Sequence, residues 1–270
     1  MDLKQAQRKF AKIRMALQGP SGSGKTYSSL LLAYGITKDW SKIAVIDSEN
    51  HSAELYSSLG PYYVCPLTSP FTPEQYMDAI RLCEKSDIEV VIIDSVTHEW
   101  EHLLDYHANL PGNSFTAWAK VTPRHNAFIQ AIMQSSCHVI CTVRTKQDYI
   151  LVEKNGKQVP EKVGLKSIQR DGLEYDFTLV FDLDIKNYAS PSKDRTGIFT
   201  GKPQHVITVS TGETLFHWCN SVSPTAEDII EDISKTHTLQ ELLKLFNQNP
   251  ALQGSLKHKF EERKLQLQAK

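Results

Sequence analysis

The stretch Gly19-Pro20-Ser21-Gly22-Ser23-Gly24-Lys25-Thr26 constrains the fold of this chain more than any other. It follows an apolar run, Ile13 to Leu17, and precedes a helical pattern from Tyr27 to Tyr34. The spacing is that of a phosphate-binding loop set between a strand and a helix. Glycines let the backbone turn tightly, so that consecutive N–H groups point at a β-phosphate. Lys25 is placed to reach the β- and γ-phosphates, and Thr26 to put its hydroxyl on Mg²⁺. A helix opening at Lys25 or Thr26 adds its positive end. The residues expected around the nucleotide are Gly19, Ser21, Gly22, Ser23, Gly24, Lys25, Thr26 and Tyr27, with ATP and Mg²⁺ as the ligands.

A chain of 270 residues has room for one large α/β domain and a small appendage. Its formal net charge of -1 supplies no global basic field, so any contact with nucleic acid must come from local patches or from oligomerisation. Cys65, Cys83, Cys137, Cys141 and Cys219 lack the spacing of a disulfide framework and imply a reducing compartment. Cys137 and Cys141 bracket His138 in a way that suggests a metal, but the strand-like run His138 to Val143 reads instead as the seat of buried free thiols. No apolar run reaches membrane-spanning length, and Met1-Asp2-Leu3-Lys4 does not open a signal peptide. The expectation is a cytoplasmic protein with no membrane partner.

Three segments are expected: a basic lead-in at 1–12 (Lys4, Arg8, Lys9, Lys12), a core at 13–222 and a helical module at 223–270. In the core, strands at Ile13–Leu17, Lys42–Ile46, Tyr62–Cys65, Glu89–Asp94 and His138–Val143 alternate with helices at 26–36, from Thr72 and at 121–135. Asn109 to Thr116 reads as a loop. The alternation predicts a doubly wound, mainly parallel sheet. Asn155-Gly156 then marks a hairpin between Tyr149–Val152 and Lys157–Val159. Phe177–Ile185, Arg195–Phe199, His205–Val209 and Thr214–Trp218 read as strands of an antiparallel extension. Towards the end, Thr238 and Glu241 form a capping box before Leu242, Leu243, Leu245 and Phe246, Asn249-Pro250 stops that helix, and Leu252, Leu256, Phe260 and Leu267 mark another. So few apolar positions make either a small packed appendage or a partner-binding module.

Asp94 closes the continuously apolar strand where a second acid of a phosphate site belongs, able to hold Mg²⁺ beside Thr26. Hydrolysis also needs a group that orients or deprotonates water. Glu49, just past the second strand, competes for that role with Glu99 and Glu101.

Asp47-Ser48-Glu49 together with Ile93-Asp94-Ser95-Val96 resembles the RecA family of recombination ATPases, over about residues 10–215. The resemblance implies a RecA-like P-loop core, with Glu49 as general base and Asp94 as the metal-side acid. Thr142 and Arg144 stand near the place where that family carries a sensor glutamine, so they are the candidate sensors. Trp118-Ala119-Lys120-Val121-Thr122-Pro123, Arg144-Thr145-Lys146 and Arg170-Asp171-Gly172-Leu173-Glu174-Tyr175 make the chain similar to phage-encoded RecA-like ATPases, including single-strand annealing proteins. That likeness implies a homo-oligomer whose ATP sites are completed by basic residues of the next subunit, here Lys193 and Arg195, with Arg170 as a second candidate. It also implies single-stranded DNA as partner, held by loops at about 107–118 (Phe115, Trp118) and 145–170. The second loop offers Lys146, Tyr149, Lys154, Lys157, Lys162, Lys166 and Arg170, diluted by Glu153 and Glu161. Three alternatives stay open: an ATP-gated binding module with little turnover, a P-loop kinase of a small metabolite, and an ATPase whose protein partner docks on the 225–268 helices.

Overall fold

A computed structural model describes residues 11–154, 157–220, 226–249 and 252–268, and the side chains of 147–165 and of residue 228 lie outside that description. The expected lead-in residues Lys4, Arg8 and Lys9, the Asn155-Gly156 turn and Pro250 also fall outside it. The chain divides into two compact units, 10–220 and the C-terminal segment from residue 221.

The larger unit is built on a mixed, mostly parallel sheet. Strand β1 (Arg14–Gly19) lies between β5 (His138–Lys154) and β7 (Leu179–Leu183). Beyond β5 come β4 (Val90–Asp94), β2 (Ile43–Asp47) and β3 (Tyr63–Pro66), all parallel. On the other side β8 (Tyr188–Asp194) and β9 (His205–Val206) run antiparallel. β6 (Lys157–Ser167) pairs antiparallel with the outer half of β5.

Side chains alternate cleanly across the sheet because successive residues of a strand face opposite ways. Met15, Leu17, Val90, Ile92 and Ile140 bury against helices α1 (Lys25–Thr37) and α5 (Val209–Asn220). Ala16, Val91, Ile93, Val139 and Cys141 bury against α2 (Pro73–Lys85) and α4 (Ser114–Gln134). Coverage on both faces explains why β4 reads as an unbroken apolar run. α2 starts where Thr72 accepts from the Gln75 amide, with Pro73 at its first turn.

Several expectations need correction. Thr214–Trp218 is not a strand: it lies in α5, whose Leu215 and Cys219 are buried against α1. Its β-branched and aromatic content mimics a strand, but tertiary packing outweighs that local preference. Arg195–Phe199 is no strand either, because the Asp194 carboxylate gathers the amides of Thr196, Gly197, Phe199 and Thr200 into a tight loop. Of His205–Val209 only the first two residues pair, and Val209 opens α5. β7 joins the parallel part of the sheet, beside β1, rather than the antiparallel extension. The 121–135 helix begins earlier, at Ser114, where Asn113 accepts from the Phe115 amide, so the expected 109–116 loop is shorter. α3 (Thr97–Ala108), which follows β4, was not foreseen.

The C-terminal unit packs α6 (Ala226–Lys235), α7 (Leu239–Gln248) and α8 (Gln253–Gln268) around Ile229, Ile233, Leu242, Leu256 and Phe260. The Thr238–Glu241 capping box is formed in both directions. An apolar groove of about 370 Å³ between α7 and α8 is lined by Leu239, Leu243, Phe246 and Phe260. Among the described residues no helix is long and apolar enough to cross a membrane.

Candidate nucleotide site and adjoining cleft

The carboxyl ends of β1, β2 and β4 meet the inner half of β5 on one edge of the sheet, and the chemistry-bearing residues sit there. Gly22 (φ 81°) and Gly24 (φ 78°) take the left-handed conformation that lets the loop after β1 curl back before α1 starts. Lys25 is buried, and its ammonium donates to the carbonyls of Gly19 (3.0 Å) and Pro20 (2.9 Å). The Ser23 hydroxyl is buried with no hydrogen-bond partner among the described residues. Thr26 donates to Asp94 Oδ2 at 2.6 Å, and Thr142 donates to Asp94 Oδ1 at 2.5 Å. Asp94 thus joins α1, β4 and β5.

Glu49 is positioned by its neighbours. Buried Asp47 accepts from the Glu49 amide (2.6 Å) and the Ala53 amide (3.0 Å), tying down the turn after β2. Asn50 (φ 53°) and His51 (φ 64°) follow in the left-handed region, so the chain turns just past Glu49. Ser48 donates its amide to the Asp94 carbonyl (2.8 Å), while its hydroxyl accepts from the Ser95 amide (3.0 Å) and lies 2.9 Å from His98 Nδ1. The Asp94–Ser95 peptide is cis. Arg144 grips Glu49 with both arms of its guanidinium, Nε to Oε1 at 2.8 Å and Nη2 to Oε2 at 2.6 Å.

The electrostatics follow from burial and pairing. Burial lowers the Lys25 pKa, opposed by the negative charges of Asp94 and Glu49. Burial raises Asp94, against the hydrogen bonds from Thr142 and Thr26. Burial also pushes Glu49 up, but the Arg144 hydrogen bonds and charge, with His98 behind them, more than reverse it and leave its pKa below the ordinary value. The donor set fits a magnesium nucleotide. Backbone amides and Lys25 would hold phosphate, and the Thr26 hydroxyl and Asp94 carboxylate would supply hard oxygen ligands. Mg²⁺ held by Thr26 and Asp94 would neutralise charge on the phosphates.

A model of the AAA domain matches residues 11–216. The chain belongs to this family. A comparison with curated proteins gives no match. AAA-domain membership makes the site that of a P-loop NTPase, suggests an ATPase, and implies a nucleotide, usually with Mg²⁺.

Other expected residues are distributed unevenly around this AAA-domain site. Of the competing acids, Glu99 is fully buried and paired with His125 (3.1 Å), and Glu101 is exposed on α3. Tyr27 is half-exposed and packs on Tyr56, with ring centroids 5.9 Å apart. Tyr56 and Asn187 went unnoticed in the sequence. Asn187, in the β7–β8 turn, stands so close to Gly24 that a β-carbon there would meet its Nδ2 at 2.7 Å. Tyr56 lies 30 residues and Asn187 lies 161 residues beyond Thr26, and nothing local ties either to the loop.

Lys193 donates to the carbonyls of Glu174 (2.8 Å) and Tyr175 (2.6 Å), and Arg195 donates to Tyr175 (3.3 Å). Lys193 is level with Val180, and Val180 with Ala16. It therefore sits three residues back from Gly19, about 10 Å along the strands at 3.3 Å per residue, and two strands away. Neither residue serves its own phosphate loop.

Lys146, Lys166 and Arg170 share a cleft of about 1080 Å³ with Phe115 and Trp118, joined by Trp100 and Leu104 of α3. Trp100 and Trp118 stack (5.9 Å, 23°), and His107 continues the stack on Trp118 (4.2 Å, 28°). Phe115 is 85% exposed. Lys166 pairs with Asp171 (3.0 Å), and Arg170 donates to Asn126 (3.1 Å). The side chains of Tyr149, Lys154, Lys157 and Lys162 lie outside the described residues. Helical spacing could have found Trp100, since it stands one turn before Leu104 on the helix that follows Asp94.

Proposed function

We propose that the chain is a Mg²⁺-dependent, RecA-like ATPase that acts on single-stranded DNA in recombination, annealing or repair. The observation that carries this reading is the cleft. It gathers residues from both segments to which the RecA resemblance points for DNA, and it joins exposed or stacked aromatic rings to Lys146, Lys166 and Arg170. Aromatic faces for bases and cations for phosphates are what a sequence-neutral single-strand site requires. Glu49 serves as general base and Asp94 as the metal-side acid. In a homo-oligomer, Lys193 and Arg195 would act on the nucleotide of a neighbouring copy, a role that their distance from their own phosphate loop favours.

ATP hydrolysis by wild type and Glu49→Gln, with and without single-stranded DNA across a salt series, tests the reading. Expected is a DNA-stimulated turnover that Glu49→Gln lowers by about 10²–10⁴-fold. The stimulation should fade with salt, the log of affinity falling by about 0.7 per log unit of salt for each phosphate neutralised. Turnover indifferent to DNA at every salt concentration would instead assign the cleft to a protein partner or a small acceptor. A second reading, an ATP-gated binding module with little turnover, is favoured by one observation: Arg144 already occupies both oxygens of Glu49.

A further inference from the structure

Arg144 links the two parts of the site. Its α-carbon is level with Gly19 on β1, at the root of the phosphate loop, and its side chain reaches past β4 to Glu49. Its backbone is held from two other directions. The Arg144 amide donates to Thr97 Oγ1 (3.0 Å) at the start of α3, and its carbonyl accepts from the Ile168 amide (2.8 Å) just after β6. α3 carries Trp100 into the cleft wall, while Lys146, two residues along β5, and Ile168 itself line the same cleft. Both of these segments, α3 and the stretch just after β6, therefore also border the space proposed for DNA.

A carboxylate with both oxygens bound by a guanidinium fork is a poor base, because the fork stabilises the anion and occupies the lone pairs that would take a proton. The pair is not sealed in: the two side chains are 37% and 22% exposed, so opening it leaves neither charge stranded in an apolar interior. A partly exposed ion pair of this kind can be opened at modest cost.

We propose that Arg144 is a brake on Glu49: with the cleft empty it holds the carboxylate out of use, and a ligand in the cleft, by shifting α3 and the end of β6, draws it off. Glu49 is then free to act. The attacking water's oxygen bonds to the γ-phosphorus, its proton passes to Glu49, and the bond to the bridging oxygen breaks with its electron pair leaving on ADP. Arg144 is thus a positioning residue whose hold sets idle turnover. The inference rests on the reading of Glu49 as the base and of the cleft as a single-strand site.

The test compares wild type, Arg144→Gln, Arg144→Lys, Glu49→Gln and the Glu49→Gln/Arg144→Gln double variant, all full-length, at saturating ATP with and without single-stranded oligothymidylate. Arg144→Gln is expected to raise basal kcat about fivefold, the population gained by opening a partly exposed pair, with KM for ATP unchanged. Oligothymidylate should add little further. Arg144→Lys keeps the charge but not the fork and should fall between. The double variant should be as inactive as Glu49→Gln. If Glu49→Gln is inactive yet Arg144→Gln is no faster than wild type, the brake is overturned while the base assignment stands. Fast Arg144→Gln turnover that oligothymidylate still stimulates as in wild type would overturn the link to the cleft. Undiminished turnover in Glu49→Gln would remove the base assignment and the brake together.

Discussion

Asp94 is a buried carboxylate whose charge the surrounding protein resists and a metal ion would favour. Its two oxygens accept from Thr26 and Thr142, and burial nevertheless raises its pKa. Burial thus opposes the charge that a metal ligand needs, a cost typical of sites shaped for ligands. Asp94→Asn removes that charge while the amide can still bond both threonine hydroxyls, accepting from one and donating to the other. Without Mg²⁺ the variant should match or exceed wild type in thermal midpoint. In Mg²⁺ it should bind ATP about 10–100-fold more weakly, the equivalent of losing about 1.5–3 kcal/mol from a charged contact. In EDTA the two proteins should bind alike. A fluorescent-nucleotide titration under both conditions, beside thermal melts, checks this. Equal weakening in EDTA would mean that Asp94 acts on the loop through Thr26 and not through a metal.

At the scale of elements, α1 and α5 cross at glycines. A β-carbon on Gly35 would strike the Val209 carbonyl and Gly212, and one on Gly212 would strike the Leu32 carbonyl and sit 2.8 Å from the Gly35 α-carbon. Backbone atoms cannot swing aside as a side-chain end can. Gly212→Ala and Gly35→Ala should each cost about 1–3 kcal/mol, or roughly 2–10 °C in melting temperature. The double variant should cost less than the sum, because separating the helices once relieves both clashes. Additive losses in urea unfolding would argue against a shared crossing point. This crossing also explains what the sequence hid. β4 is legible because a strand buried on both faces is apolar along its run, up to the aspartate that closes it, and the phosphate loop because glycine spacing and Lys25 have few other uses. The α5 stretch reads as a strand because Leu215, Phe216 and Trp218 look strand-like, while its packing on α1, through a glycine more than a hundred residues away, leaves no local mark. The same holds within the site. Glu49 and Arg144 were each visible as candidates, but 95 residues separate them and nothing local announces that one holds the other.

Across the whole larger unit the sheet has two unlike ends, one for chemistry and one that fastens the core. Opposite the phosphate edge, the buried Arg14 guanidinium donates to the carbonyls of Met133 (3.3 Å), Cys137 (2.6 Å) and Ser135, tying the end of α4 to β1. His138 belongs to this end. Its Nδ1 accepts from the Ile13 amide at 3.1 Å, which an imidazolium cannot do. Burial, with the charges of Lys12 and Arg14, pushes its pKa down from 6.5 to about 3. The sign of the consequence is fixed. Above pH 6.5 His138 is neutral in both folded and unfolded chains and pH has no effect through it. As pH falls below 6.5 the unfolded chain takes up a proton that the folded chain refuses, so stability is lost progressively until about pH 3. The loss approaches about 1.4 kcal/mol for each pH unit. His138→Asn keeps an acceptor near the Nδ1 position and has nothing to protonate. Urea unfolding at a series of pH values from about 7.5 to 4.5 should show wild type losing stability more steeply than His138→Asn, with the curves diverging below the ordinary histidine pKa. Parallel curves over that range would mean that the folded protein admits the proton, and that the Ile13 bond does not hold the ring neutral.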